Sequence, residues 1–280
     1  MSGFSADWLA LREPADHAAR SLPVATALRE HFASHRSIRV VDLGCGAGSN
    51  LRGTFHLLPD RQRWTLVDYD PALLSAARDV LANWADEARD DGESLLVRKD
   101  GKLLAISFRQ ADLTVDLDSV LTADPTPDLV SAAALFDLVS EGWLDTFTAA
   151  LRDAGIPLYT VLTYDGLQEW VPSHEGDAAI LSGFNAHQQT DKGFGRAAGP
   201  RAAEGLAQRL QAAGFTVTTG SSPWELESGA LAVELARGIA EAAAEAGAVT
   251  PGEAQAWFDA RDTTERATIG HLDVLALPTP

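Results

Sequence analysis

Asp42 stands two residues ahead of Gly44, and glycine recurs at every second position through Gly46 and Gly48 in the stretch VVDLGCGAGSN. Glycines placed so let a strand turn sharply into a helix and let the backbone come close to a ligand, which is how a doubly wound fold receives a nucleotide. A dinucleotide fingerprint needs G-x-G-x-x-G, so that the helix N-terminus meets a pyrophosphate. Counted from Gly44, its third glycine falls on Ser49. The chain reads D-x-G-x-G-x-G instead, and the Asp42 carboxylate would repel a pyrophosphate but could face an ammonium group. Asp68 lies 20 residues beyond Gly48 at the end of a second apolar run, where a carboxylate can accept hydrogen bonds from both ribose hydroxyls. The plain alternatives are a structural turn for the glycines and a solvated strand end for Asp68 and for Asp112.

A second group of reactive side chains lies far along the chain. The stretch FNAHQQTDKGFG gathers Asn185, His187, Gln188, Asp191 and Lys192 beside flexible glycines. His187 is the candidate general base, because an imidazole ordinarily titrates near working pH. A surface histidine on a mobile loop is the alternative. Lys192 could pair with a substrate carboxylate, and Tyr164 and Asp165 end a strand near the same mouth. Between the two groups, LFDLVS carries Leu135, Phe136 and Asp137. Asp137 either orients a cationic or hydroxylated substrate or caps the helix that follows.

The elements that must position these residues alternate from residue 38 onward. Strand residues 38 to 43 lead through the glycines to a helix beginning near Ser49 and Asn50; WTLVDYD is a strand, and PALLSAARDVLANWADEA is a helix opened by Pro71. Strands alternating with helices imply crossover connections and a mainly parallel sheet. Asp100-Gly101 between two apolar runs is the preferred two-residue hairpin turn, leading into a third core strand that ends near Asp112. PDLVSAAALFDLVS passes from strand to loop, a helix covers residues 141 to 154, and IPLYTVLTYDG is the fifth strand. Residues 166 to 199 are Gly- and polar-rich and too long for an idle connection, which suits a lid or substrate insertion. A helix over PRAAEGLAQRLQAAG, a strand over FTVTTG, a helical pair at 226 to 247 and 251 to 262, and a last strand in ATIGHLDVLALPTP complete the chain. Ahead of the core, WLALREPADHAARS reads as an amphipathic helix with Trp8, Leu11 and Ala15 on one side. The expected organisation is one domain over 1-280: a helical cover at 1-37, a core at 38-165, the insertion at 166-199, and C-terminal strands with a helical insertion at 226-262.

Composition narrows the chemistry. The 280 residues carry a net charge of -18, a field that disfavours phosphate backbones and anionic membrane surfaces. One cysteine, Cys45, permits neither an internal disulfide nor a multi-cysteine zinc cluster. The histidines show no ligand spacing on one face, so no metal site is expected. No apolar run reaches the roughly 20 residues that span a bilayer. A cytoplasmic protein is expected, with a small molecule as partner, nucleic acid and membrane disfavoured, and a homodimer allowed.

Three stretches in order, VVDLGCGAGSN, LVDYDPALL and RQADL, resemble the class I S-adenosylmethionine-dependent methyltransferases of small-molecule type. The resemblance covers residues 38 to 165 well and the final strands weakly. It implies a Rossmann-like, doubly wound α/β fold with a mainly parallel seven-stranded sheet and helical insertions at both ends. By the family pattern Asp42 and the loop Gly44, Cys45, Gly46 and Gly48, with Asn50 behind it, surround the methionine portion of the cofactor. Asp68 binds the ribose, Tyr69 lies against the adenine, and Asp112 with Leu113 reaches the adenine edge. Arg12 or Arg20 of the N-terminal cover would pair with the cofactor's carboxylate or a substrate group, or else form a surface salt bridge to Glu13 or Asp16.

The fourth-strand loop lacks the D/N-P-P-aromatic tetrad that resembling enzymes use on base amines or glutamine, which favours a small molecule. His187, Asp137 and Tyr164 are then the candidate catalytic residues, and Arg12, Phe136, Asn185 and Lys192 the candidate substrate contacts. The expected reaction is in-line methyl transfer from S-adenosylmethionine to an oxygen or nitrogen acceptor, releasing S-adenosylhomocysteine. Sulfur as acceptor stays open. So do aminopropyl transfer or cyclisation on the same cofactor, and a non-catalytic cofactor-binding subunit.

Overall fold

The computed structural model describes residues 5 to 279; the first four residues of the expected N-terminal cover and the last residue lie outside it. Strands β1 (Ser37–Leu43), β2 (Arg61–Asp68), β3 (Glu87–Asp90), β4 (Ser94–Lys99), β5 (Lys102–Gln110), β6 (Leu129–Ala133), β7 (Leu158–Val171), β8 (Phe215–Ser221), β9 (Trp224–Glu227) and β10 (Arg266–Pro278) form one sheet. Its order is β3-β4-β5-β2-β1-β6-β7-β10-β8, with β9 pairing to β10. The sheet is the Rossmann-like α/β sheet expected, but with 10 strands, not seven. Strands β5, β2, β1, β6 and β7 run parallel, and β10 enters antiparallel between β7 and β8.

The extra strands have local causes. Asp100 and Gly101 both take positive φ, 47° and 80°, which twists a two-residue turn to match its strands and builds the β4–β5 hairpin. The helix opened by Pro71 stops at Trp84, and Glu87–Asp90, which includes the end of the expected helix, turns back as edge strand β3.

Helices α1 (Ala6–Ala18), α2 (Leu22–Phe32), α3 (Ser49–Thr54), α4 (Pro71–Trp84), α5 (Leu117–Leu121), α6 (Glu141–Ala154), α7 (Asp177–Gln188), α8 (Ala202–Ala212), α9 (Ala230–Glu245) and α10 (Pro251–Ala260) flank the sheet. Two apolar clusters fill its two faces. One joins Ile38, Val40, Trp64, Leu66 and Ile106 to α2 and α4; the other joins Val41, Leu43, Val67 and Val130 to α5, α6 and α8. Period-2 alternation along each strand assigns the side chains to these faces. Among the described residues no helix is long and apolar enough to cross a membrane.

The segment 166 to 199 is more regular than a flexible lid. Its first residues continue β7 to Val171 against β10, and Asp177–Gln188 is helix α7, packed on α9. Gly183 permits that approach, since a Cβ there would lie 2.7 Å from the Ala248 methyl and 2.9 Å from Ala243. The helical insertion expected from residue 226 begins with β9, and its first helix starts at Ala230.

Candidate functional site

The order of the sheet reverses at β1, which has β2 on one side and β6 on the other. In doubly wound folds the loops leaving the carboxyl ends of the strands part at such a reversal, and ligands bind in the crevice between them. The glycine loop forms one wall. Gly44, Gly46 and Gly48 have φ of 61°, 52° and 76°, a left-handed conformation that side chains with a Cβ adopt at a cost. Leu135 of the β6 loop closes on it, 3.2 Å from where a Gly44 Cβ would stand. Leu9 of α1 lies 2.9 Å from the corresponding position at Gly46, so the N-terminal helix covers the loop as expected.

Asp42 ends buried beneath this loop, only 1% exposed. Its Oδ1 accepts a 2.6 Å hydrogen bond from Asn50 Nδ2, which also donates to Ser131 Oγ at 2.7 Å. Its Oδ2 has no partner. Burial pushes the Asp42 pKa up to about 6, opposed by the Asn50 hydrogen bond and the Arg20 charge. Cys45 is buried in the loop, its N–H donating to the Val67 carbonyl, and burial raises its thiol pKa well above the ordinary value. That thiol is a packing group and not a nucleophile.

Asp68, Tyr69, Asp112 and Leu113 gather at the carboxyl ends of β2 and β5, where the Ala111 N–H donates to the Asp68 carbonyl. The Asp68 carboxylate accepts from Gly46 N–H at 2.9 Å and from Asp70 N–H at 3.0 Å. It is thereby fixed to the glycine loop. Burial raises its pKa, against the pull of these N–H groups. Tyr69 is 58% exposed beside it. Asp112 Oδ1 accepts from the N–H and hydroxyl of Thr114, and the Leu113 carbonyl accepts from the Trp143 indole at 2.9 Å.

The N-terminal cover is sewn to the loop by Arg20, a cofactor candidate from the sequence, and by Glu13, His17 and Arg52, to which the sequence assigned no such role. Glu13 pairs with Arg52, which donates to the Ala47 carbonyl at 2.9 Å, and His17 Nε2 lies 3.0 Å from the Ser49 carbonyl. Arg20 donates to Thr54 Oγ1 at 2.7 Å and to Asn50 Oδ1 at 3.0 Å, so it reaches Asp42 through Asn50. Its Nε is buried without a partner. The spacing of Glu13, His17 and Arg20, at i, i+4 and i+7, was a legible signal for one helix face. Arg12 has taken the alternative considered for it, a salt bridge to Asp16 at 2.9 Å, and it also lies over the Trp224 ring at 5.1 Å.

On the far side of the crevice the structure brings together Asp137, Tyr164, Asn185, His187 and Lys192. Asp137 is 8% exposed with Oδ1 unpartnered, and burial lifts its pKa to about 6 while the charges of Arg12 and Lys192 oppose the rise. It does not cap the next helix; Ser140 does, accepting from Trp143 N–H. The Tyr164 hydroxyl donates to Asn185 Oδ1 at 2.9 Å and accepts from Gln168 at 3.0 Å, and burial raises its pKa. His187 sits on α7 with both ring nitrogens engaged, Nε2 at 3.2 Å from Glu245 and Nδ1 at 3.4 Å from Lys192 Nζ. Burial, then the Lys192 charge, lowers its pKa. Phe136 departs from expectation. Its ring is fully buried against Phe147 at 5.2 Å and Trp143 at 6.2 Å, so it supports the loop from the core and has no surface for a substrate.

Comparison with known proteins agrees with this architecture. No family model matches the chain, and no curated protein matches it. Among solved structures, a cyclopropane-fatty-acyl-phospholipid synthase-like protein from Lactobacillus casei aligns with a TM-score of 0.56 at 14% identity, covering 98% of this chain and 95% of its own. A protein from Bacillus halodurans, described as a candidate methyltransferase, aligns at 0.50 and 13% identity over 91% of this chain and 99% of its own. These likenesses show the fold, a Rossmann-like α/β one.

Proposed function

We propose that this chain, built on the class I methyltransferase fold, binds S-adenosylmethionine in the β1–β6 crevice and transfers its methyl group to an oxygen or nitrogen of a small molecule. The observation that carries the reading is the pair of buried carboxyls, Asp42 and Asp137, each with a fully buried oxygen that has no hydrogen-bond partner among the described residues. A buried polar atom without a partner costs free energy unless a ligand completes it. Asp42 under the glycine loop fits an ammonium group, Asp68 held by Gly46 N–H fits a ribose, and Tyr69 offers an exposed ring for an adenine.

When bound, the cofactor supplies an electrophilic methyl group on a sulfonium. The protein's own part is positioning and exclusion of water, since an in-line displacement needs the acceptor held in line behind the methyl carbon. Leu9 and Leu135 pack against the loop at Gly46 and Gly44. Asp137 is the residue suited to take the acceptor's proton: its free oxygen is buried and its raised pKa brings it toward working pH. His187, with both nitrogens engaged, holds Lys192 beside Asp137. Tyr164, kept protonated, fixes Asn185 at the rim of the crevice.

The test is incubation with S-adenosylmethionine and a panel of hydroxylated and amino small molecules, with both nucleoside products quantified. S-adenosylhomocysteine formed in step with a methylated acceptor supports the reading. Methylthioadenosine as the product would replace methyl transfer by aminopropyl transfer or cyclisation.

A further inference from the structure

A depression of about 950 Å³ lies away from the glycine loop, at the opposite ends of the strands, where β1, β2 and β5 begin beside the β3–β4 hairpin. Cross-strand register explains its composition. One row runs Arg39, Arg63, Ala105, Leu96, Arg89, and the row before it runs Ser37, Arg61, Leu103, Arg98, Glu87. All of these lie on one sheet face, the face that carries Val41, Leu43 and Val67 further along. There α5, α6 and α8 cover it. Here no helix among the described residues does, because the connection from β5 to β6 supplies only the five-residue helix α5. A doubly wound sheet ordinarily buries both faces under helices, so one layer is missing at this corner.

What remains bare is an apolar middle with a cationic rim. Leu96 is 39% and Leu103 45% exposed, and five arginines surround them. Arg39 is paired with Asp128 at 2.7 Å and Arg98 approaches Glu87 at 3.7 Å. Among the described residues, Arg61, Arg63 and Arg89 have no carboxylate within 4.0 Å. A chain of net charge -18 thus sets unpaired positive charge around two exposed leucines.

We propose that this face docks an acidic amphipathic helix of a partner polypeptide, which supplies the missing layer. Such a helix presents a leucine-type stripe to Leu96 and Leu103 and flanking carboxylates to Arg61, Arg63 and Arg89. A second copy of this chain docked about a two-fold axis would set these arginines against their own images. A nucleic acid has no apolar face for the two leucines, and the rest of the surface repels it. Docking here leaves the nucleotide crevice open at the other end of the strands, and the inference stands apart from the proposed reaction.

The experiment uses a fluorescein-labelled synthetic helix of glutamates carrying one leucine stripe, titrated with the full chain at low salt and followed by anisotropy. Binding is expected, weakened about tenfold or more by Arg61→Glu with Arg63→Glu and also by Leu96→Ser with Leu103→Ser. A scrambled peptide of the same composition should bind as weakly as those variants bind the striped one. Thermal melts followed by circular dichroism establish that both double variants fold, and Arg89→Glu stands in for either that does not. Absence of binding, equal binding of the scrambled peptide, or tighter binding of a single-stranded oligonucleotide of equal charge overturns the proposal. Self-association of the wild type that the arginine variants abolish would assign the face to a second copy and likewise overturn it.

Discussion

Replacing Asp42 with asparagine should make the cofactor-free protein more stable and a poorer binder at once. Burial lifts the Asp42 pKa from 3.8 to about 6. A folded-state pKa raised above the unfolded one means that the group favours the fold fully below 3.8 and that this contribution is lost as the pH rises through about 6. At about 1.4 kcal/mol per pH unit, the ionised carboxylate costs the fold about 3 kcal/mol at pH 8. Asparagine has the same shape, keeps the acceptor for Asn50 and carries no charge. Asp42→Asn is therefore expected to gain up to about 3 kcal/mol in urea unfolding at pH 8, with the advantage falling to about half at pH 5. The same change removes the anionic partner for an ammonium group, and a hydrogen bond to a charged group contributes about 1.5 to 3 kcal/mol. Calorimetric titration should show S-adenosylmethionine affinity reduced about 10- to 100-fold. A variant less stable than wild type at pH 8, a stability gap independent of pH, or unchanged affinity would refute the reasoning.

Asp137→Asn should lower kcat/KM by about two to four orders of magnitude, as loss of a general base does. In the wild type the ionised form accepts the proton, so kcat/KM should fall below about pH 6 and lie roughly tenfold down at pH 5. That acid limb should vanish in the variant, and its persistence would move the base to another residue. Asp273→Ala tests the anchoring of the N-terminal cover. The buried Asp273 carboxylate accepts from Ser21 N–H at 2.8 Å, Leu162 N–H at 2.8 Å and Ser222 Oγ at 2.6 Å. Three buried donors left without a partner should cost about 3 to 5 kcal/mol in urea unfolding, and a loss under about 1 kcal/mol would contradict that role.

The parts of the fold that local chemistry dictates were legible in the sequence. The alternate glycines, the Asp100-Gly101 turn and helix α6, with Ser140 before it and Gly155 at its end, each depend on residues a few positions apart. What escaped depends on distant partners. The polar run after Gly166 reads as loop, yet it stays extended because β10, about a hundred residues later, pairs with it as far as Val171. Helix α7 shows a weak apolar pattern of its own, and Gly183 makes sense only against Ala243 and Ala248.

The site divides in the same way. Asp42, Asp68 and the glycine loop sit at strand ends and turns that periodicity locates. Phe136 lies in the loop after β6, as its position in the sequence implies, but which way its ring turns is decided by Trp143 and Phe147 on the following helix. Arg12 stands four residues from Asp16, and whether that pair closes depends on burial by Trp224, whose indole donates to Asp16 at 3.1 Å. Asp273, 252 residues from Ser21, carried no sequence signal at all.

A crevice at β1 that holds S-adenosylmethionine must discriminate it from other nucleotides and depend on Asp68. Calorimetric titration of wild type and Asp68→Ala with S-adenosylmethionine, S-adenosylhomocysteine and NAD tests this most directly. Both sulfur nucleotides should bind and NAD should not, with affinity for the first two weakened by about tenfold or more in the variant, which loses the carboxylate held by Gly46 N–H. Binding of NAD, or binding of the sulfur nucleotides undiminished in Asp68→Ala, would contradict it.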